Sequence, residues 1–158
     1  MSIDLIRIDD RFIHGLVVVG WVPAIRCTQI VVANDRVAAN ETQKKLMRMA
    51  TPEGIEAFIL TIKEAAELIK EGKFESQKTM LLIGNPDDAL RLVHEGVNIK
   101  SINVGVMKFT PDRKQIFPSI SMNEKEIAIF RQLSTDYGIE IEVRTPPDAS
   151  KVNLLNHI

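Results

Sequence analysis

Cysteine, tryptophan and tyrosine occur once each in 158 residues, as Cys27, Trp21 and Tyr137. One cysteine excludes an internal disulfide and any Cys-x-x-Cys metal site, and a lone thiol suits a reducing compartment. No apolar run approaches the roughly 18 residues that a membrane span needs. The opening MSIDLIRIDDR is broken by charge too early to form the apolar centre of a signal peptide. No sign of charge dominates: 20 Lys+Arg face 21 Asp+Glu, for a formal net charge of −1. That balance excludes a general polyanion binder, so no nucleic-acid partner is expected. Neither a G-x-G-x-x-G nor a G-x-x-x-x-G-K-[ST] phosphate loop is present. The three histidines, His14, His94 and His157, are too scattered for a metal site. With 45% hydrophobic and 26% charged residues, the chain reads as an ordinary globular domain covering residues 1–158.

Short apolar runs alternate with amphipathic ones. Ile3–Ile8, Gln29–Ala33, Ile55–Leu60, Thr79–Ile83, Ile99–Val104 and Ile139–Val143 read as strands. Between them, helices are expected over Leu16–Ile25 (closing near Pro23), over Val37–Ala50, from Thr61 to Gly72, from Asn85-Pro86 to Gly96, and over Asn123–Tyr137. Thr61 with Glu64 spells a capping box, and Asn123 with Glu126 a similar pair. Met107–Pro118 reads as irregular or a hairpin, and the tail after Pro146-Pro147 as a short helix or loose chain. This alternation predicts an α/β fold, a three-layer αβα sandwich around a mostly parallel central β-sheet. Ligands of such sheets gather at the carboxyl ends of the strands, which directs attention to the loops Asp9–Gly15, Asn34–Val37, Gly84–Asp87 and Gly105–Lys114.

The first of these loops is the densest polar cluster. Arg7-Ile-Asp-Asp-Arg-Phe-Ile-His14-Gly15 places two arginines, two carboxylates and a histidine within nine residues, after a strand and before a helix. A helix start there would offer backbone N–H groups, those of Gly15 and Leu16, to an anion. Arg11 can add planar charge-assisted donors, and Gly15 permits close approach or a positive φ. Asp9 or Asp10 could hold the loop or orient the His14 imidazole, fixing which nitrogen is nucleophilic. That chemistry suits phosphoryl transfer. A salt-bridged loop with a merely hydrogen-bonded histidine would read the same way from the residues alone.

The same residues, followed by Trp21, resemble the N-terminal signature RIDDRLIHGQV…W of the IIB components of the mannose/fructose/sorbose family of the bacterial sugar phosphotransferase system. The likeness continues in order along the whole chain: Ile30-Val-Val-Ala-Asn-Asp35, Met80-Leu-Leu-Ile-Gly-Asn-Pro86, Leu92-Val-His-Glu-Gly-Val97, Ser101-Ile-Asn-Val-Gly105 and Gly138-Ile-Glu-Ile-Glu-Val-Arg144. The resemblance implies a phosphocarrier, and no cofactor is expected. A IIA phosphohistidine donates to His14, and the group passes to a sugar held by the membrane subunits IIC and IID. It implies Arg11 as the phosphate-stabilising arginine, Asp9 and Asp10 as shapers of the loop, and Nδ1 as the modified nitrogen. It also implies a cytoplasmic protein that visits the inner face of the membrane. Two positions depart from the pattern: Leu16 stands where the family usually has Gln, and Val106 where a Gly or small polar residue is common.

Lys108, Arg113 and Lys114 form either a basic rim that attracts the phosphorylated partner or an ordinary solvated hairpin. Phe12 and Trp21 read as packing residues, with Phe12 able to reach a partner surface. Cys27 has no adjacent base and reads as an inert core thiol. His94 is expected on the surface near a helix end, and His157 in a mobile tail. A response-regulator receiver also carries paired acids after its first strand. It needs a phosphorylatable aspartate after the third, however, where Leu60 runs into Thr61 and Ile62. A non-catalytic α/β regulatory domain that binds a phosphorylated partner is the alternative reading. The aliphatic helix faces would serve a core or a dimer equally well.

Overall fold

A computed structural model describes residues 3–158; Met1 and Ser2 of the expected domain lie outside the described residues. Among the described residues, seven strands form one sheet in the order β3-β2-β4-β1-β5-β8-β9. They are β1 (Ile3–Asp9), β2 (Gln29–Ala33), β3 (Glu56–Leu60), β4 (Thr79–Ile83), β5 (Ser101–Val106), β8 (Glu140–Val143) and β9 (Val152–Asn153). Every pairing is parallel except β8 with β9. β6 (Lys114–Phe117) and β7 (Ile120–Met122) make a separate antiparallel hairpin.

Helices cover both faces, so strands that would alternate in a half-exposed sheet are buried throughout. β2 and β4 are buried at all five positions. Ile6, Ile8, Val31, Leu81, Ile83, Ile102 and Val104 point to one face. They pack there with α4 (Ile62–Lys70), α5 (Pro86–His94) and α6 (Glu124–Tyr137). Ile30, Val32, Met80 and Leu82 point to the other, under Val17, Trp21 and Met47. The three-layer α/β expectation is met. β1 lies inside the sheet between β4 and β5, on either side of which the chain order reverses direction. Its carboxyl end is therefore the switch point at which such folds place ligands.

Some boundaries differ from the sequence reading for identifiable reasons. Leu16–Ile25 is helical, but its first part, Leu16–Trp21, is a π-helix that continues as α1 (Val22–Ile25). Pro23, with no N–H to donate, sits where the wide turn hands over. The helix expected over Val37–Ala50 is two, α2 (Asp35–Ala38) and α3 (Glu41–Ala50). The Asn40 side chain accepts from the Gln43 N–H and starts a new helix instead of continuing the old one. Both capping boxes form, at Thr61/Glu64 and Asn123/Glu126. The tail is neither a helix alone nor loose: β9 adds to the sheet edge, and a 3-10 turn (Leu154–Asn156) buries Leu154. His157 lies edge-on to Phe117 at 5.1 Å.

Gly138 ends α6 at φ +65° with its N–H on Ser134, and a Cβ there would meet no neighbour. Gly138→Ala therefore isolates the left-handed backbone penalty, about 1–2 kcal/mol. Urea denaturation should show that loss, and unchanged stability would contradict the assigned backbone conformation.

Candidate functional site at the end of β1

On β1, Leu5, Arg7 and Asp9 alternate with Ile6 and Ile8, and so share the face under Trp21. The sheet's second cover therefore buries Arg7 and Asp9 completely. Asp9 compensates by accepting from every side. Its Oδ1 accepts the Arg11 backbone N–H at 3.0 Å. Its Oδ2 accepts Arg7 Nε at 3.3 Å and lies 2.8 Å from His14 Nε2. An ionised carboxylate only accepts, so the proton on the histidine bond belongs to Nε2 and the lone pair to Nδ1. The Asp9 backbone carbonyl closes the turn by accepting the Phe12 N–H at 3.0 Å.

This turn corrects two expectations. The positive φ falls on Phe12 (+58°), while Gly15 is helical at φ −50°, ψ −50°. A Cβ on Gly15 would meet nothing within 4 Å, so its openness faces outward. Phe12 is 4% exposed and packs in the core, so it offers no docking surface. The twist that turns its ring inward is the same one that brings His14 back over Asp9.

Asp10 does not touch the imidazole, contrary to one of its two expected roles. Its Oδ2 accepts the Lys108 N–H at 2.8 Å, and its own N–H donates to the Val106 carbonyl at 3.2 Å. It therefore ties the first loop to the loop after β5. Arg113 is likewise internal: Nε and NH2 clamp the two oxygens of Glu126 at 2.9 and 2.6 Å, and NH1 holds the Lys108 carbonyl at 2.8 Å. That bidentate pair removes Arg113 from the expected partner-binding rim. Lys108 and Lys114 are exposed, but only Lys108 reaches the histidine cleft.

The cleft has a volume of about 740 Å³. His14, Gly15, Leu16 and the exposed Arg11 form one wall, and Val106, Lys108 and Phe109 another. Among the described residues the Arg11 guanidinium makes no ion pair, so it is available to a ligand. The first turn of the helix after His14 leaves N–H groups without intrahelical acceptors. Phe109 is 67% exposed at the rim. Cys27 is buried, its thiol donates to the Gln29 carbonyl, and burial raises its pKa.

Sequence reasoning missed the residues behind Asp9. Arg7 NH1 donates to Asn103 Oδ1 at 2.7 Å and to the Arg144 carbonyl at 3.1 Å. Trp21 lies under the guanidinium groups of both Arg7 and Arg144, each 5.0 Å from its ring centroid. Its Nε1 donates to the Thr145 carbonyl. The available signal was a polar Asn103 and a Gly105 alternating with apolar residues in a strand otherwise suited to the core.

A second cavity of about 510 Å³ opens on the far side of the Asp10–Lys108 tie. Its floor holds Asp88, 5% exposed, whose Oδ2 accepts from Asn34 Nδ2 (2.9 Å) and the Gly84 N–H (3.0 Å). Burial outweighs these bonds and raises the Asp88 pKa.

Comparison with known proteins places this chain in a class of sugar-transport phosphotransferases. The model of the "PTS system sorbose subfamily IIB component" matches residues 3–158. The chain belongs to that family. It is 37% identical to the fructose-specific EIIB component of Bacillus subtilis (strain 168), over 100% of this chain and 98% of the relative. It is also 37% identical to the mannose-specific EIIAB component of Escherichia coli (strain K12), of whose length it spans 50%. The solved IIBSor domain of the Klebsiella pneumoniae sorbose permease superposes with a TM-score of 0.93 at 31% identity, covering 99% of this chain and 96% of that one. No helix among the described residues is long and apolar enough to cross a membrane.

The raised Asp88 pKa has a defined sign. As the pH climbs above about 4, the unfolded chain ionises this carboxyl before the folded one does. Its contribution to stability is therefore lost with rising pH. Replacing it by the isosteric amide (Asp88→Asn) removes that loss, so the variant-minus-parent difference in Tm should be more positive at neutral pH than at pH about 4. A pH-independent difference would contradict the assignment.

Proposed function

We propose that His14 is the phosphoryl carrier of this IIB component, accepting the group on Nδ1. The observation that carries the reading is the 2.8 Å contact between His14 Nε2 and the buried Asp9 carboxylate. It leaves Nδ1 as the nitrogen with a free lone pair, on a histidine that lines an open cleft. The donor is a phosphohistidine on a IIA protein or domain, a reading supported by the EIIAB name of the Escherichia coli relative. The Nδ1 lone pair attacks phosphorus, and the donor's N–P bond breaks with its electron pair returning to the donor imidazole. In the second transfer a sugar hydroxyl oxygen attacks phosphorus, the His14 N–P bond breaks, and the hydroxyl proton is released.

Positioning and charge neutralisation supply most of the catalysis in such a transfer. Arg11 and the N–H groups of Gly15 and Leu16 surround the transferred oxygens. The Asp9 carboxylate offsets the positive charge that develops on the imidazole. Asp10 fixes the opposite wall through Lys108, whose side chain draws the phosphorylated donor. The acceptor is a sugar of the class named for the relatives (fructose, mannose, sorbose or N-acetylgalactosamine), presented by the membrane subunits IIC and IID at the cytoplasmic face. One histidine must face both partners in turn, so the two docking surfaces overlap and each interface is transient.

The test is intact-mass analysis after incubation with phosphoenolpyruvate, the general phosphotransferase proteins and a IIA of this family. One labile phosphoryl group should appear on the parent and none on His14→Ala. Arg11→Ala should slow acceptance by about 10²–10³-fold, as expected for loss of a charge-stabilising donor. A phosphoryl group that survives His14→Ala would overturn the assignment.

A further inference from the structure

Arg7 is a charged side chain with no solvent exposure, two residues before Asp9 on the same face of β1. Burying a guanidinium is expensive, and desolvation lowers its pKa against the pull of Asp9. The surrounding residues are arranged to hold it there. Nε donates to Asp9 Oδ2 at 3.3 Å, while NH2 lies 3.3 Å from the same oxygen but makes no hydrogen bond. NH1 is held by Asn103 Oδ1 and the Arg144 carbonyl. The Trp21 ring lies 5.0 Å from Arg7 Cζ. Gly105 leaves the space, since a Cβ at that position would overlap the guanidinium. The β1–β5 register also shifts here: Ile8 opposes Val104, but Asp9 opposes Val106. A shift beside a glycine re-aims the side chains around it.

Packing alone would be served by an apolar residue. The charge has a more specific use. A buried carboxylate without a counter-cation favours its neutral form. A neutral Asp9 carries an O–H and can donate to Nε2 instead of accepting from it. The imidazole would then hold its proton on Nδ1 and lose the lone pair there. We propose that Arg7 is a positioning residue that acts through Asp9: it keeps the carboxylate ionised and in place, and thereby keeps the His14 proton on Nε2 and the lone pair on Nδ1. Asn103, Gly105 and Trp21 hold Arg7 for this task. The consequence for transfer rests on His14 being the phosphoryl acceptor; the consequence for the tautomer does not.

The first readout is the pair of imidazole 15N chemical shifts of His14 in the unphosphorylated, labelled full chain. The parent should show the Nε2-protonated tautomer. Arg7→Met, similar in length but neutral, should shift the population toward Nδ1–H, and Arg7→Lys should restore Nε2–H. The second readout is the rate of phosphoryl acceptance. Arg7→Met should lower it by about 10–100-fold, the scale seen when a supporting residue behind a functional one is removed. In an Asp9→Asn background the same substitution should cost no more than about twofold, because two residues acting as one unit are not additive. If Arg7→Met does not fold, the double variant Asp9→Asn/Arg7→Met should, since the uncompensated charge is gone. An unchanged tautomer in Arg7→Met, an additive loss in the double variant, or a double variant that also fails to fold would overturn the proposal. Should no variant, the parent included, accept a phosphoryl group, the carrier assignment fails while the tautomer measurement still decides the role of Arg7.

Discussion

The Asp9 carboxylate is the point on which the rest of the site depends. It has no access to water, so each interaction it would have made with solvent is replaced by a protein group: Arg7, the Arg11 backbone and His14. A buried charge in this position is tolerable only when its acceptor capacity is filled. The same three contacts shape the turn, lock the imidazole and link the exposed loop to the sheet. The loop's geometry thus follows from satisfying one buried charge, and the unusual backbone at Phe12 is the means by which the chain reaches around it.

The position of β1 explains why that charge is buried at all. An inner strand with helices on both faces has no solvent side, so the two odd polar residues in Leu5-Ile-Arg-Ile-Asp9 must be paired. The tie from Asp10 to the Lys108 N–H makes the loop after β5 part of the same assembly, and the Arg113–Glu126 clamp anchors that loop to α6. Two loops that are distant in sequence become opposite walls of one cleft. Leu16 and Val106, the two departures from the family pattern, both line it. They make those walls more apolar without touching the Asp9–His14 bond.

Legibility in the sequence followed the range of the interactions. The capping boxes at Thr61/Glu64 and Asn123/Glu126 were readable because both partners lie three residues apart. The buried strands β2 and β4 were readable as unbroken apolar runs. The cluster from Arg7 to Gly15 was visible as a motif, and Asp9 and His14 are only five residues apart. What escaped was long-range. Arg7 meets Asn103 across 96 residues and Arg144 across 137. The clamp from Arg113 to Glu126 turned an apparently free cation into a structural one. β9 was unreadable because two residues carry no periodicity. The π-helical turn hid because the sequence reading treats every helix as having the same pitch.

Asp9 holds Nε2 of His14, so the phosphoryl group of the proposed transfer goes to Nδ1. Heteronuclear NMR of the 15N-labelled phosphoprotein, correlating the ring nitrogens with phosphorus, identifies the bonded nitrogen directly. The account predicts phosphorus on Nδ1 of His14, with Nε2 protonated and still bonded to Asp9. Phosphorus on Nε2 would mean that the Asp9 contact breaks before transfer, and would contradict the mechanism at its base.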